Sequence, residues 1–208
     1  MRVKICGLTR AEDAQLAQDL GAAMLGFIFY HGSKRFITPD AAAVIVPKMT
    51  AMTVGVFVNQ SDDVAAIAAK TGLSGVQLHG DETPQMVEKI RKIFPGLVIR
   101  ALRPEKPADL DAIKDYQGLA DMILIDAAAP GQYGGTGHTG DWGLAVQAKD
   151  YGIPVILAGG LNPQNISDAA KAVQPYALDL SSGVEASPGI KDPEKLKALF
   201  CALQGVPA

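Results

Sequence analysis

VILAGGLNPQNISDAAKAVQPYALDLSSG, residues 155–183, holds one full period of a pattern that runs the length of the chain. An apolar run ends at Ala158, two glycines follow, Asn162-Pro163 places a cap before a proline, and a helical stretch leads to a second apolar run ending at Ser182. Similar β-rich runs end near Cys6, Phe29, Val58, Leu78, Leu102 and Asp126, so successive ends lie 20 to 32 residues apart. That spacing fits one strand plus one helix. Eight such units can close as a parallel (β/α)8 barrel, which leaves no sheet edge. The alternative is an open doubly wound sheet. The barrel is preferred because eight units use the whole chain and no G-x-G-x-x-G follows the first strand. The expectation is one α/β domain over residues 1–208.

The connections carry matching helix signals. Thr9-x-x-Glu12 reads as a capping box, and Thr38-Pro39, Thr83-Pro84 and Asp192-Pro193 place a cap before proline. Gly21, Gly72 and Gly152 stand where a left-handed residue ends a helix. Leu196, Leu199, Phe200 and Leu203 recur at i, i+3, i+4 and i+7, one packed helix face.

Composition narrows the function. The 208 residues are 48% hydrophobic with a net charge of −3, enough for a sizeable core but not the basic surface that sequence-independent nucleic-acid binding needs. The longest apolar runs are too short for a membrane span and the first residues lack a signal-peptide core, so a cytoplasmic protein is expected. In that compartment Cys6 and Cys201 should be free thiols, with Cys201 a small buried hydrophobe on its helix.

In a barrel, chemistry belongs at the C-terminal ends of the strands. Gly159 and Gly160 follow strand seven, while Ser181, Ser182 and Gly183 follow strand eight, where backbone N–H groups and hydroxyls can cradle a phosphate. Asp126 ends the sixth apolar run as Cys6 ends the first. These strands lie three steps apart around the ring, an arrangement suited to an acid and a base on one substrate. A thiolate base requires a lowered pKa, and Lys4, two residues earlier on the same strand face, is a cation that can help lower it. Arg35, beside Lys34 in the loop after strand two, is the better fork for a planar carboxylate. Gln77, His79 and Asp179 also lie near strand ends and are candidate substrate contacts, whereas His31 and His138 read as surface residues. No Cys or His pair has metal-ligand spacing, so no metal is expected.

KICGLTR, GVFVNQ, QLHGDE, ILIDAAAPGQYGGTGHTGDW, ILAGGLNPQN and LDLSSGVEASPGIKD together resemble the phosphoribosylanthranilate isomerase family, from residue 2 to about residue 192. The resemblance implies a (β/α)8 barrel performing an Amadori rearrangement in tryptophan biosynthesis without metal or organic cofactor. It implies Asp126 as general acid on the ribose ring oxygen, Cys6 as the base at C2, and Arg35 on the anthranilate carboxylate of a phosphorylated substrate. One departure is Gly140, where the family usually has an aromatic residue before the Asp-Trp pair. Another sugar-phosphate isomerase or lyase on the same barrel, or a non-catalytic phospholigand sensor, is the alternative, and monomer and homodimer are both open.

Overall fold

A computed structural model describes residues 1–60, 62–127 and 142–206. Eight parallel strands, β1 (Arg2–Ile5), β2 (Met24–Ile28), β3 (Met52–Phe57), β4 (Gly75–Leu78), β5 (Leu97–Leu102), β6 (Met122–Asp126), β7 (Val155–Ala158) and β8 (Ala177–Leu180), close in sequence order, with β1 pairing β8 from Arg2↔Ala177 to Ile5↔Leu180. The expected barrel is present, and the strands end within two residues of the predicted positions.

The helices are α1 (Ala11–Asp19), α2 (Pro39–Ile45), α3 (Val64–Thr71), α4 (Pro84–Ile93), α5 (Trp142–Ala148), α6 (Ile166–Val173) and α7 (Pro193–Ala202). The connection after β5 is instead a 3-10 helix, Pro107–Tyr116. Between β8 and α7 lies a short antiparallel hairpin, β9 (Glu185–Ser187) with β10 (Ile190–Lys191), which nothing in the periodicity announces. Among the described residues no helix is long and apolar enough to cross a membrane.

Thr38, Thr83 and Asp192 cap α2, α4 and α7 through their side chains, as expected. Two other cap readings are corrected. Thr9 caps no helix: its hydroxyl donates to the Gly189 carbonyl at 2.5 Å, a tie across the barrel seam that outcompetes the local cap, and Arg10 takes the N-cap position of α1. Asn162 accepts from the backbone N–H groups of Gln164 and Asn165, making a turn that delays α6 to Ile166. Gly72 and Gly152 are left-handed helix ends with φ of 74° and 76°. Cys201 is corrected as well: both thiols are free, but this one is exposed, because α7 buries Leu196 and Leu199 on the opposite face.

Side-chain alternation decides what each strand offers. Outward residues such as Ile5, Phe27, Leu78, Ile123 and Leu157 join the layer beneath the helices. Inward ones, Met24, Val54, Ile99, Leu124 and Ile156, fill the barrel. The same parity carries Lys4 and Cys6 on β1 and its end, Gln77 and His79 on β4 and its end, Asp126 on β6 and Asp179 on β8 toward the interior at the C-terminal mouth. The barrel is thus apolar at its floor and chemically equipped at its rim.

Candidate active site

One cavity at that rim gathers the predicted groups. Cys6, Arg35, Gln77, His79, Asp126, Asp179, Gly159, Gly160, Ser181 and Ser182 all line it. Gly183, the remaining predicted phosphate contact, is not among the lining residues. A Cβ added there would overlap the Leu161 carbonyl oxygen, so the loops after β7 and β8 pack backbone to backbone. Gly159 and Gly160 adopt φ of 96° and 65°, left-handed conformations that favour glycine and turn the chain at the end of β7. Gly183→Ala is therefore expected to push these loops apart; if they hold a phosphate as the sequence suggests, KM for a phosphorylated substrate should rise by roughly tenfold or more through lost charge-assisted N–H contacts. Inhibition by inorganic phosphate should weaken in parallel, and an unchanged KM would place the phosphate elsewhere.

Cys6 is almost wholly buried. A Cβ on Gly26 of β2 would lie 2.8 Å from its sulfur, so that glycine makes room for the thiol, a role invisible in the sequence. Lys4 Nζ donates to Asp179 Oδ1 at 3.0 Å, a buried pair bridging the β1–β8 seam. Burial works against the Lys4 charge, but Asp179 and Cys6 outweigh it and hold the ammonium above its usual range.

A thiolate base requires a lowered pKa, and the resting site does not supply it. Burial pushes the Cys6 thiol up; Lys4 and Lys191 pull it down, Asp179 opposes them, and the net direction is upward. The cation is present as predicted, but its charge is shared with a carboxylate that no local pattern revealed.

Asp126 is buried with His79 Nε2 3.4 Å from its Oδ2, and Gln77 Nε2 stands 2.7 Å from His79 Nδ1. With the Gln77 amide donating to Nδ1, the ring carries its proton on Nε2, the nitrogen that faces Asp126. Two buried polar atoms in the lining, Gln77 Oε1 and Ser181 Oγ, have no hydrogen-bond partner among the described residues. A buried polar atom left unpaired is costly, so both are suited to a polar ligand.

Arg35 reaches the cavity but is already engaged. Its Nε donates to Glu185 Oε1 at 2.8 Å and its Nη2 to Glu185 Oε2 at 2.7 Å, a bidentate pair 150 residues apart in sequence. Its stem crosses Gly7, where a Cβ would lie 2.6 Å from Arg35 Cδ, which gives the glycine of KICGLTR its reason. Lys34 is exposed. His31 is exposed as expected and packs on Phe36. The segment after β6, with His138 and Gly140, lies outside the described residues. Tyr30 and Ser33 also line the cavity and escaped the sequence reading, since nothing separates them from ordinary loop residues.

The chain is similar to known proteins along nearly its whole length. The family model described as N-(5'-phosphoribosyl)anthranilate isomerase matches residues 3–202. An N-(5'-phosphoribosyl)anthranilate isomerase of Geobacter metallireducens is 46% identical over 200 residues, covering 95% of this chain and 96% of the relative. One from Gloeothece citriformis is 43% identical over 204 residues, covering 96% and 92%. Among solved structures, phosphoribosyl anthranilate isomerase from Thermus thermophilus superimposes with a TM-score of 0.89 at 41% identity, covering 100% of both chains. Another, in complex with reduced 1-(o-carboxyphenylamino)-1-deoxyribulose 5-phosphate, has a TM-score of 0.86 at 37% identity and 99% coverage of both.

Proposed function

Because the chain belongs to the N-(5'-phosphoribosyl)anthranilate isomerase family, we propose that residues 1–208 are one catalytic domain in which Cys6 and Asp126 serve as base and acid. The enzyme is an isomerase of tryptophan biosynthesis. It converts N-(5'-phosphoribosyl)anthranilate to 1-(2-carboxyphenylamino)-1-deoxyribulose 5-phosphate by an Amadori rearrangement.

The chemistry needs one proton delivered and one removed, at two atoms that are both bonded to C1. Asp126 protonates the ribose ring oxygen, the bond from that oxygen to C1 breaks, and the nitrogen lone pair forms a C1 iminium. The Cys6 thiolate then takes the C2 proton, giving an enaminol that becomes the ketone as C1 gains a proton and the C2 hydroxyl loses one. His79 stabilises the carboxylate that Asp126 becomes. Gly159, Gly160, Ser181, Ser182 and Gly183 hold the phosphate, Arg35 binds the anthranilate carboxylate, and Gln77 and Asp179 complete the polar wall around the sugar.

The observation that carries this reading is the convergence of a thiol, a buried aspartate side chain, a guanidinium and a glycine-serine turn in one cavity. A phosphorylated ligand of amino-acid biosynthesis also fits a cytoplasmic enzyme. The direct test adds purified protein to freshly made phosphoribosylanthranilate and follows the change in anthranilate fluorescence. A rate no faster than the spontaneous one overturns the assignment.

Arg35→Ala is expected to raise KM by roughly tenfold to a hundredfold, the scale of a charge-assisted bidentate contact, with a smaller effect on kcat. An inhibitor lacking the carboxylate should bind wild type and variant alike. Equal losses for inhibitors with and without the carboxylate would assign Arg35 a purely structural role.

A further inference from the structure

Two buried charged residues that this mechanism does not use stand directly behind it. Glu185, at the start of β9, is 6% exposed, and Lys191, in β10, is 1% exposed. Among the described residues, neither lines the cavity, yet each binds residues that do.

Lys191 Nζ donates to the Cys6 carbonyl at 2.6 Å, to the Ser181 carbonyl at 3.1 Å and to Glu185 Oε1 at 2.9 Å, so all three ammonium hydrogens are used. Glu185 accepts in turn from Arg35 Nε and Nη2, from Lys191, and from the Gly189 backbone N–H at 3.2 Å. One cluster thus ties together the strand end that presents the base, the serine turn after β8 and the guanidinium. Burial pushes the Glu185 carboxyl up, but the hydrogen bond from Arg35 and the charge of Lys191 outweigh it and keep the group ionised.

The geometry points to Glu185 as the residue that sets carboxylate specificity, with Lys191 as the strut that holds it. Engagement of the Nε–Nη2 edge of Arg35 by Glu185 leaves Nη1 and the second Nη2 hydrogen to present to a ligand. The substrate carboxylate is met by an oriented pair of donors instead of a mobile side chain. Pre-ordering the arginine spares the ligand the entropy cost of fixing it. Both residues act through others and are positioning residues. The proposal rests on the reading of Arg35 as the carboxylate anchor and of Cys6 as the base.

Removing Glu185 outright would leave two buried cations facing each other, so the principal variants are Glu185→Gln and the double variant Glu185→Gln, Lys191→Met, which loses one charge of each sign. Each is checked for folding by circular dichroism and thermal melting. The measurement is inhibition of the full-length enzyme by two reduced product analogues, one with the benzoate carboxylate and one without. Wild type should prefer the carboxylate form. The double variant should lose most of that preference, by roughly tenfold, while the decarboxylated inhibitor shifts by less than about twofold. Glu185→Gln, which keeps one acceptor oxygen, should fall between. Lys191→Met alone, which takes away one donor that holds Glu185, should also lose part of the preference.

Arg35→Ala is the control that separates the two claims. If Arg35→Ala abolishes the carboxylate preference while the Glu185 variants keep it, the positioning role is wrong and the anchor stands. If Arg35→Ala leaves the preference intact, anchor and positioning role fall together. A Lys191→Met enzyme that keeps the full wild-type carboxylate preference overturns the strut.

Discussion

Cys6→Ala is expected to lower kcat by roughly 10²- to 10⁴-fold with little change in KM, the loss that accompanies removal of a positioned base. The thiol is small and buried, so alanine should fold and still bind. Cys6→Ser should recover little, because a hydroxyl is a far weaker base at neutral pH. A particular pH dependence follows from the environment. In the free enzyme burial pushes the thiol up, beyond the opposing pull of Lys4 and Lys191. Alkylation of free Cys6 should therefore be slow at neutral pH and accelerate only above the ordinary thiol value.

Under the proposed roles catalysis need not wait for that pH, because ring opening would create an iminium cation next to the base. A unit positive charge about 5 Å away, at an effective dielectric of about 20, favours the thiolate by about 3 kcal/mol. The acidic limb of kcat should accordingly lie below the pH at which free Cys6 alkylates, and a product analogue should protect the thiol. A Cys6→Ala enzyme with near-wild-type kcat would return the residue to a packing role.

Asp126→Asn is the second large effect, again about 10²- to 10⁴-fold in kcat. The amide keeps the shape and burial of the side chain but has no acidic proton to transfer to the ring oxygen. Its neighbours predict a smaller companion effect. The Gln77–His79 pairing directs an N–H toward Asp126, so His79→Leu should reduce kcat without matching the loss in Asp126→Asn. His79→Gln, which can present an amide N–H near the same place, should recover part of it. If a substrate with an already opened ring restores turnover to Asp126→Asn, the acid acts at ring opening. If Asp126→Asn turns over the closed substrate normally, Asp126 is not the acid.

The barrel and most of its rim were legible in the sequence because both follow from local rules. Apolar runs at strand-plus-helix spacing specify the repeat, and glycines and prolines mark its turns. Strict alternation puts Cys6, Gln77, His79, Asp126 and Asp179 on inward positions once the direction of the barrel is known. Thr38, Thr83 and Asp192 were readable as caps because a cap is satisfied by its own next residues. Thr9 was misread for the complementary reason: its partner, Gly189, lies 180 residues away.

The electrostatics of the site belong to the closed ring. Closure sets β1 against β8 and the first loops against the β9–β10 hairpin, pairing Lys4 with Asp179, Arg35 with Glu185 and Lys191 with the Cys6 carbonyl, at sequence separations of 175, 150 and 185. In the sequence these are lysines, arginines and acids like those on the exposed helix faces. There, a pair such as Lys197 with Glu194 contributes about 0–1 kcal/mol. Buried, the same residue types are costly to separate, about 3–5 kcal/mol when one partner is lost. Periodicity and turn chemistry, which act between near neighbours, determined the strands, the rim and the candidate acid and base. Which charges meet in the interior, and therefore the protonation of Cys6 and the aim of Arg35, was decided only when the ring closed, because burial and pairing depend on the residues that arrive from the other end of the chain.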